Sequence, residues 1–328
     1  MIRFGFSGHF RLEVYKAGTR NLQRVREFDN LITNAGLNSY GLGIGRNLGK
    51  CWVGTGTATP TVNDNALSAP LASVGMPHYL NGPNYGQNNF TGVAPDYVSS
   101  SLLIVRFGVG ATTGNLTEIG LSSEANPGDN NWYLWCRALI VDENGKPTAL
   151  PVLENEYLEV RYTLRVHPFL GDVPFTFKVD NEEYQAVARM ANIKSAFPSA
   201  CWSEFNVGTG SKFERVYNSN TLGTVEQVIQ GATQDAYYND LGQQYEFEPY
   251  IMGSYQRDMT FSIGLDQCNL EGGIKGITIG DRGVGNNSII GSQYRYMTQI
   301  SLDHPIMKEN TNTMKFTIRT SWGRYEEP

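Results

Sequence analysis

Histidine and cysteine are scarce in this chain, four of each in 328 residues, and their scarcity removes most ordinary routes to catalysis. Cys51, Cys136, Cys201 and Cys268 stand singly, with no Cys-x-x-Cys spacing and no histidine cluster nearby. Neither a zinc site nor a redox pair is indicated, and the four read as reduced core thiols. His9, His78, His167 and His304 lack motif partners; His167 and His304 each precede a proline, where a solvated or backbone-bonded imidazole is the ordinary expectation. No Gly-x-Ser-x-Gly elbow and no His-Glu-x-x-His occur, so nucleophilic and zinc-hydrolase chemistry find no support. Charged residues make up only 18% of the chain, and Lys+Arg 26 against Asp+Glu 32 leaves a net charge of −6, a poor balance for holding a polyanion. Nucleic acid is not an expected partner. Apolar runs such as Ser101-Leu-Leu-Ile-Val105 are strand-length, far below the roughly 20 residues that span a bilayer, so no membrane span is expected. Met1-Ile-Arg-Phe-Gly-Phe lacks the pattern of a secretory leader, which leads us to expect synthesis and folding in a cytoplasm.

What the chain does have is short alternation. Phe10/Leu12/Val14, Leu158/Val160/Tyr162/Leu164, Phe175/Phe177/Val179 and Met314/Phe316/Ile318 recur with period two between Gly, Asn, Pro and Asp, the pattern of half-buried strands. Asn144-Gly145 predicts a hairpin turn in which both central residues accept positive φ. An internal repeat organises the whole. Cys51-Trp52 with Val53-Gly-Thr-Gly56 returns as Cys201-Trp202 with Val207-Gly-Thr-Gly210, Gly54 and Gly208 being 154 residues apart. Val25–Leu31 matches Val187–Ile193, Gly114–Ile119 matches Gly272–Ile277, and Tyr133–Asp142 matches Tyr294–Asp303, all in order. The expected fold is all-β: two tandem β-sandwich domains, 1–168 and 169–328, from an internal duplication, with few short helices. One continuous double-length barrel is the alternative.

Val-Gly-Thr-Gly reads as a strand ending in a turn whose glycines take conformations closed to other residues, since no phosphate-loop Lys-Ser/Thr follows. Asn30-Leu-Ile-Thr-Asn-Ala-Gly36-Leu37 reads as a short helix capped by Asn30, with the glycine at its end and Leu31 and Leu37 packed inward. Gly41-x-Gly43-x-Gly45 lacks the dinucleotide spacing, and no cofactor is expected.

The segments Asn30–Leu37, Val53–Gly56, Leu67, Gly114–Leu121 and Arg137-Ala-Leu139, spread in order over residues 10–165, resemble a module of tailed-bacteriophage virion proteins found in tail-fibre, baseplate and collar components. The second copy departs from it, with Asn192-Ile-Lys-Ser for Asn30-Leu-Ile-Thr and Gly276 where the first copy has Glu118. The resemblance implies a non-enzymatic virion subunit that assembles with itself and with other virion proteins. A receptor- or host-glycan-binding tail module is the alternative. A glycan depolymerase is a third reading: it needs two carboxylates at a groove, for which Glu154, Glu156, Glu159, Asp180, Glu182 and Glu183 are available, although in turns and on strands carboxylates are usually solvated. Asp64, Asp129 and Asp142 sit in Asn/Asp/Gly loops that could hold calcium, yet none has the EF-hand register, and turn formation is their ordinary role. The 18 tyrosines suit interface work. Two long segments rich in aromatics and amides are read as loops, and Tyr79, Tyr85, Phe90, Tyr238, Tyr245 and Phe247 within them are the candidates for contact with a neighbouring subunit or a sugar.

Overall fold

The computed structural model describes residues 2–44, 48–75, 85–91, 97–124, 132–179, 182–191, 212–231, 233–236, 245–282 and 294–326. They form 21 strands and one α-helix, so the chain is all-β. Two compact units are formed, and the chain passes between them at His167/Pro168. The N-terminal unit comprises Gly5–Thr91, Val98–His167 and Trp322–Pro328; the C-terminal unit is Pro168–Ser321 together with Met1–Phe4 and Gly92–Tyr97.

In the N-terminal unit the strands are β1 (Ile2–Lys16), β2 (Leu22–Asp29), β3 (Leu31–Ile32), β4 (Leu48–Gly54), β5 (Pro70–Gly75), β6 (Tyr85–Thr91), β7 (Val98–Arg106), β8 (Gly114–Leu116), β9 (Glu118–Glu124), β10 (Trp132–Leu139), β11 (Leu150–Val152) and β12 (Glu156–Pro168). One sheet runs β2-β1-β12-β7-β6 and the other β3-β10-β9-β4-β5, while β8 and β11 pair separately. The residues of the period-two pattern face the core: Phe10, Leu12 and Val14 on β1 and Leu158, Val160, Tyr162 and Leu164 on β12 are all buried, although Glu13, Tyr157 and Glu159 beside them are buried as well. Across from them Trp135 on β10 meets the Phe6 ring edge-on at 5.3 Å and donates its indole N–H to the Tyr162 hydroxyl at 3.3 Å. The core of this unit therefore lies between its two sheets, with buried indole and phenol groups paired, as their polar tips require.

The helix α1 (Asn34–Gly41) starts later than the sequence suggests. Leu31 and Ile32 are taken by the ladder with β10, opposite Arg137 and Cys136, so Thr33 is the cap, its hydroxyl accepting from Gly36 N at 3.0 Å. Gly36 lies inside the helix, not at its end. A Cβ there would stand 2.4 Å from Trp135 O, so glycine is what lets α1 rest on the β10 backbone. The C-terminal segment fastens to the same corner, through Trp322 Nε1 to Leu37 O at 2.9 Å and Arg324 Nε to Ile32 O at 2.6 Å.

The hairpin at 142–146 is wider than the two-residue type. Only Gly145 takes positive φ (+74°), and Asp142 Oδ1 accepts from Asn144 N and Lys146 N, both at 2.9 Å, so an aspartate side chain closes the turn. Cys51, Cys136 and Cys268 are buried, whereas Cys201 lies outside the described residues. Burial pushes the Cys136 thiol up to about 12 and the Cys51 thiol higher still, so neither is a nucleophile near neutrality.

In the C-terminal unit the strands are β13 (Val173–Val179), β14 (Glu182–Met190), β15 (Lys212–Tyr217), β16 (Thr233–Ala236), β17 (Tyr245–Phe247), β18 (Gln256–Ile263), β19 (Ile274–Arg282), β20 (Tyr294–Ile306) and β21 (Met314–Arg324), the last ending in the other unit. One sheet runs β13-β14-β20-β19-β15-β16, and β17, β18 and β21 are successive neighbours in another. Burial again alternates, with Met259, Phe261 and Ile263 facing inward on β18 and Met314, Phe316 and Ile318 on β21.

Candidate interaction surface

One organised surface of the N-terminal unit is the loop 55–69 between β4 and β5. Its ends meet, Thr55 N donating to Ala69 O at 2.9 Å, which makes it a closed surface loop. Its middle is exposed: Thr57, Ala58, Thr59, Thr61, Val62 and Asn63 all face solvent. Beneath them lies Glu118 at the start of β9, fully buried at 0% exposure. Its carboxylate accepts from Gly56 N (3.1 Å), Ser68 N (3.0 Å) and Ala69 N (2.7 Å), and from Arg137 Nε (3.0 Å). Arg137, at 2% exposure, also reaches Asp64 at 2.5 Å and Ala58 O at 2.8 Å. Asp64 in turn accepts from Thr61 N and Thr61 Oγ1, at 3.0 and 2.7 Å. A single buried ion pair thus gathers both ends and the middle of the loop.

This explains Val53-Gly-Thr-Gly56 differently from a turn. Gly54 and Gly56 are not among the residues with positive φ. A Cβ on Gly54 would come within 2.7 Å, and one on Gly56 within 2.3 Å, of Glu118 Oε1. The glycines are there so that the backbone can close on a carboxylate. Burial works to raise the Glu118 pKa, but the Ala69 and Ser68 N–H groups and the Arg137 guanidinium outweigh it and hold the carboxyl below its ordinary value. For Asp64 the sum is the same: burial raises, Thr61 and Arg137 lower more.

In the C-terminal unit a second loop, 218–231, is held by a neutral group. Gln299 on β20 is fully buried. Its Oε1 accepts from Gly223 N at 2.9 Å, and its Nε2 faces the carbonyls of Gly223 and Thr224 at 3.0 Å, Met190 at 3.2 Å and Gln227 at 3.3 Å. Arg189 adds a bond to Gly223 O at 2.8 Å while Asp172 holds its guanidinium. Gly276 admits the loop closely, since a Cβ there would lie 2.5 Å from Ser219 O.

Other carboxylates, the candidates Glu156, Glu159 and Glu182 among them, are engaged in the same structural way. Glu13 accepts from Arg11 (2.6 Å), Arg161 (2.8 Å) and Tyr15 (2.9 Å), and Glu159 from Arg106 (2.7 Å) and Arg161 (2.9 Å), forming a charge ladder across β1, β12 and β7. Glu156 accepts from Leu153 N (2.9 Å) and Arg24 (2.8 Å). Burial works to raise the pKa of Glu13 and Glu156, but their donors lower it by more, so both carboxyls sit below the usual range. Glu182 takes the Tyr184 hydroxyl at 2.7 Å and faces His304 at 3.2 Å; Glu154 and Glu183 are exposed, and Asp180 lies outside the described residues. Asp142 closes its turn, Asp64 serves Arg137, and Asp129 is outside the described residues, which contain no group of three potential metal ligands. His9 pairs with Asp29 at 2.8 Å, while His167 bonds Ser7 at 2.8 Å and stacks on Tyr325 at 3.5 Å. Burial, then Arg165, lowers the His167 pKa to about 4; His78 lies outside the described residues.

Of the aromatic candidates, Tyr79 and Tyr238 fall outside the described residues. Tyr85 and Phe90 belong to β6, at the register positions opposite Leu103 and Ser99; Tyr245 and Phe247 belong to β17, opposite Phe261 and Met259. These four are strand residues and not loop residues, because β7 and β18 supply ladders that the amide-rich sequences give no sign of. Both strands are outermost in their sheets. Phe247 is half-buried, with the Arg257 guanidinium 5.1 Å from its ring centre. No family model, no curated protein and no solved structure matches the chain. In the sequence Glu118 and Arg137 stand out only as landmarks of the resemblance and Gln299 not at all; the local signal for the clamp is a pair of glycines two apart beside a strand.

Proposed function

We propose that the chain is a non-enzymatic structural subunit of a bacteriophage virion, in the tail, baseplate or collar, which assembles with copies of itself and with other virion proteins. The observation that carries this reading is where the buried polar groups are spent. Glu118, Arg137 and Gln299 hold exposed loops, and the buried Lys308 ammonium binds Leu265 O, Asn269 Oδ1 and Glu309 O at 2.9 to 3.3 Å. Each serves the backbone. A general acid needs a raised carboxyl pKa, and the shifts of Glu13, Glu118 and Glu156 run the other way, which weighs against the depolymerase reading. A loop fixed in advance loses little entropy on docking, so the surface suits persistent contact with a neighbour. The resemblance of Asn30–Leu37, Val53–Gly56 and Gly114–Leu121 to phage virion modules supplies the setting.

The same proposal includes the duplication of a sandwich. Its support is the strand order: β3-β10-β9-β4-β5 in one unit parallels β14-β20-β19-β15-β16 in the other. Ile119 pairs with Ala138 and with Val53, and Ile277 pairs with Ile300 and with Val216. On this register Arg137 and Gln299 are counterparts, as are Glu118 and Gly276. The place of Val53 then goes to Val216 and not to Val207, a shift of nine residues from the match of Val53-Gly-Thr-Gly56 with Val207-Gly-Thr-Gly210. Crosslinking of intact particles, with gene deletion in parallel, tests the function. The chain should crosslink to neighbouring virion proteins and its loss should arrest assembly; particles that assemble normally without it would overturn the proposal.

A further inference from the structure

On the outer face of β13, β14 and β20 runs an open cleft of about 510 Å³, in the usual size range of ligand sites, roughly 300–1,000 Å³. Strand alternation builds it. Thr176 on β13 is opposite Gln185 on β14, and Gln185 N bonds Asp303 on β20 at 3.0 Å, which makes one polar row. Pro174, Val187 and Ser301 make the next row, a mostly apolar one. The loop 218–231 forms a wall through Asn220, fixed by Ser301 Oγ to Asn220 O (2.7 Å) and Asn220 Nδ2 to Leu302 O (3.2 Å).

The polar row faces outward and is only partly committed. All three bonds to the Asp303 carboxylate, from Gln185 N (3.0 Å), His304 N (3.1 Å) and His304 Nδ1 (2.9 Å), fall on Oδ1. The other oxygen, the Gln185 amide and the Thr176 hydroxyl make no bond among the described residues. No lysine or arginine is among the described residues lining the cleft, so it offers nothing to phosphate, sulfate or a nucleotide, and its carboxylate repels them. An open groove with a carboxylate, an amide and a hydroxyl in one row and proline and valine in the next matches a molecule whose hydroxyls lie at its rim and whose C–H face is apolar.

We propose that this cleft is a binding site for a neutral saccharide chain, with Asp303 and Gln185 bonding vicinal hydroxyls and Pro174 and Val187 supporting the ring's C–H face. The assignment is independent of the virion proposal. The test is calorimetry and saturation-transfer NMR on the full chain with neutral hexose and N-acetylhexosamine trisaccharides, with inorganic phosphate as the anionic control. Saturable binding to at least one trisaccharide, with a dissociation constant of about 1 mM, is expected. Thr176→Arg, which places a long cation in the groove from an exposed strand position, and Gln185→Ala, which keeps the backbone N–H, should each weaken binding about tenfold or more without moving the melting temperature. Absence of saturable binding to every trisaccharide, affinity unchanged in both variants, or displacement by phosphate would overturn the assignment. If Thr176→Arg lowers the melting temperature, Gln185→Ala alone decides.

Discussion

The loops 55–69 and 218–231 face the same physical problem and solve it with opposite chemistry. Each is a long irregular segment whose backbone groups need partners, and each is gathered onto its sheet by buried polar side chains. In the first the gatherer is the charged pair Glu118–Arg137; in the second it is the neutral amide of Gln299. An amide can face donors and acceptors at once, so a single residue suffices and no counter-charge must be buried. A carboxylate only accepts, and it binds three N–H groups strongly, but it needs Arg137 beside it to be tolerated in the interior. The charged solution therefore makes its loop dependent on ionisation.

Breaking the comparison at its charged side should cost most. Arg137→Met leaves Glu118 buried without its counter-ion, and we expect a loss of about 3–5 kcal/mol in denaturant unfolding of the N-terminal unit. Next comes Gly56→Ala, whose new methyl would stand 2.3 Å from Glu118 Oε1 and 1.8 Å from Ser68 Oγ; the expected cost is about 1–3 kcal/mol, with the loop's amides losing protection first. Gln299→Leu strips the second loop of its acceptor for Gly223 N and should cost about 1–3 kcal/mol in the C-terminal unit, leaving the N-terminal unit's transition in place. The mildest change is Asp64→Asn at the partly exposed edge of the first cluster, where we expect under about 1 kcal/mol and a visible effect only on the Thr61 amide.

Much of the strand pattern was legible in the sequence because burial on one face writes itself as period two: Phe10, Leu12 and Val14 are all buried, as are Met314, Phe316 and Ile318. Phe175 and Phe177 follow the same period but are only half-buried, since β13 lies at the edge of its sheet. The expected cap falls three residues too early, at Asn30 and not Thr33, because Leu31 and Ile32 look equally apolar on a helix or in a ladder, and only the distant β10 decides between them. Glu118 was invisible as a clamp. Its partners Gly56 and Ser68 lie 62 and 50 residues away, and nothing local marks a glutamate that will be fully buried. The glycines that admit it were visible but looked like turn residues, the commoner use of glycine.

The most direct test compares the loops by amide exchange across pH. Because the Glu118 pKa is depressed by folding, its stabilisation is fully present above the unfolded-state value of about 4.3 and is lost as pH falls through the lower folded-state value. Hydrogen exchange, corrected for the intrinsic pH dependence, should show protection of Gly56, Ser68 and Ala69 falling below about pH 4, while that of Gly223, bonded to an amide that does not titrate, persists. Parallel loss at all four amides, or unchanged protection of the first three through the acid range, would contradict the claim that an ionised Glu118 holds the exposed loop.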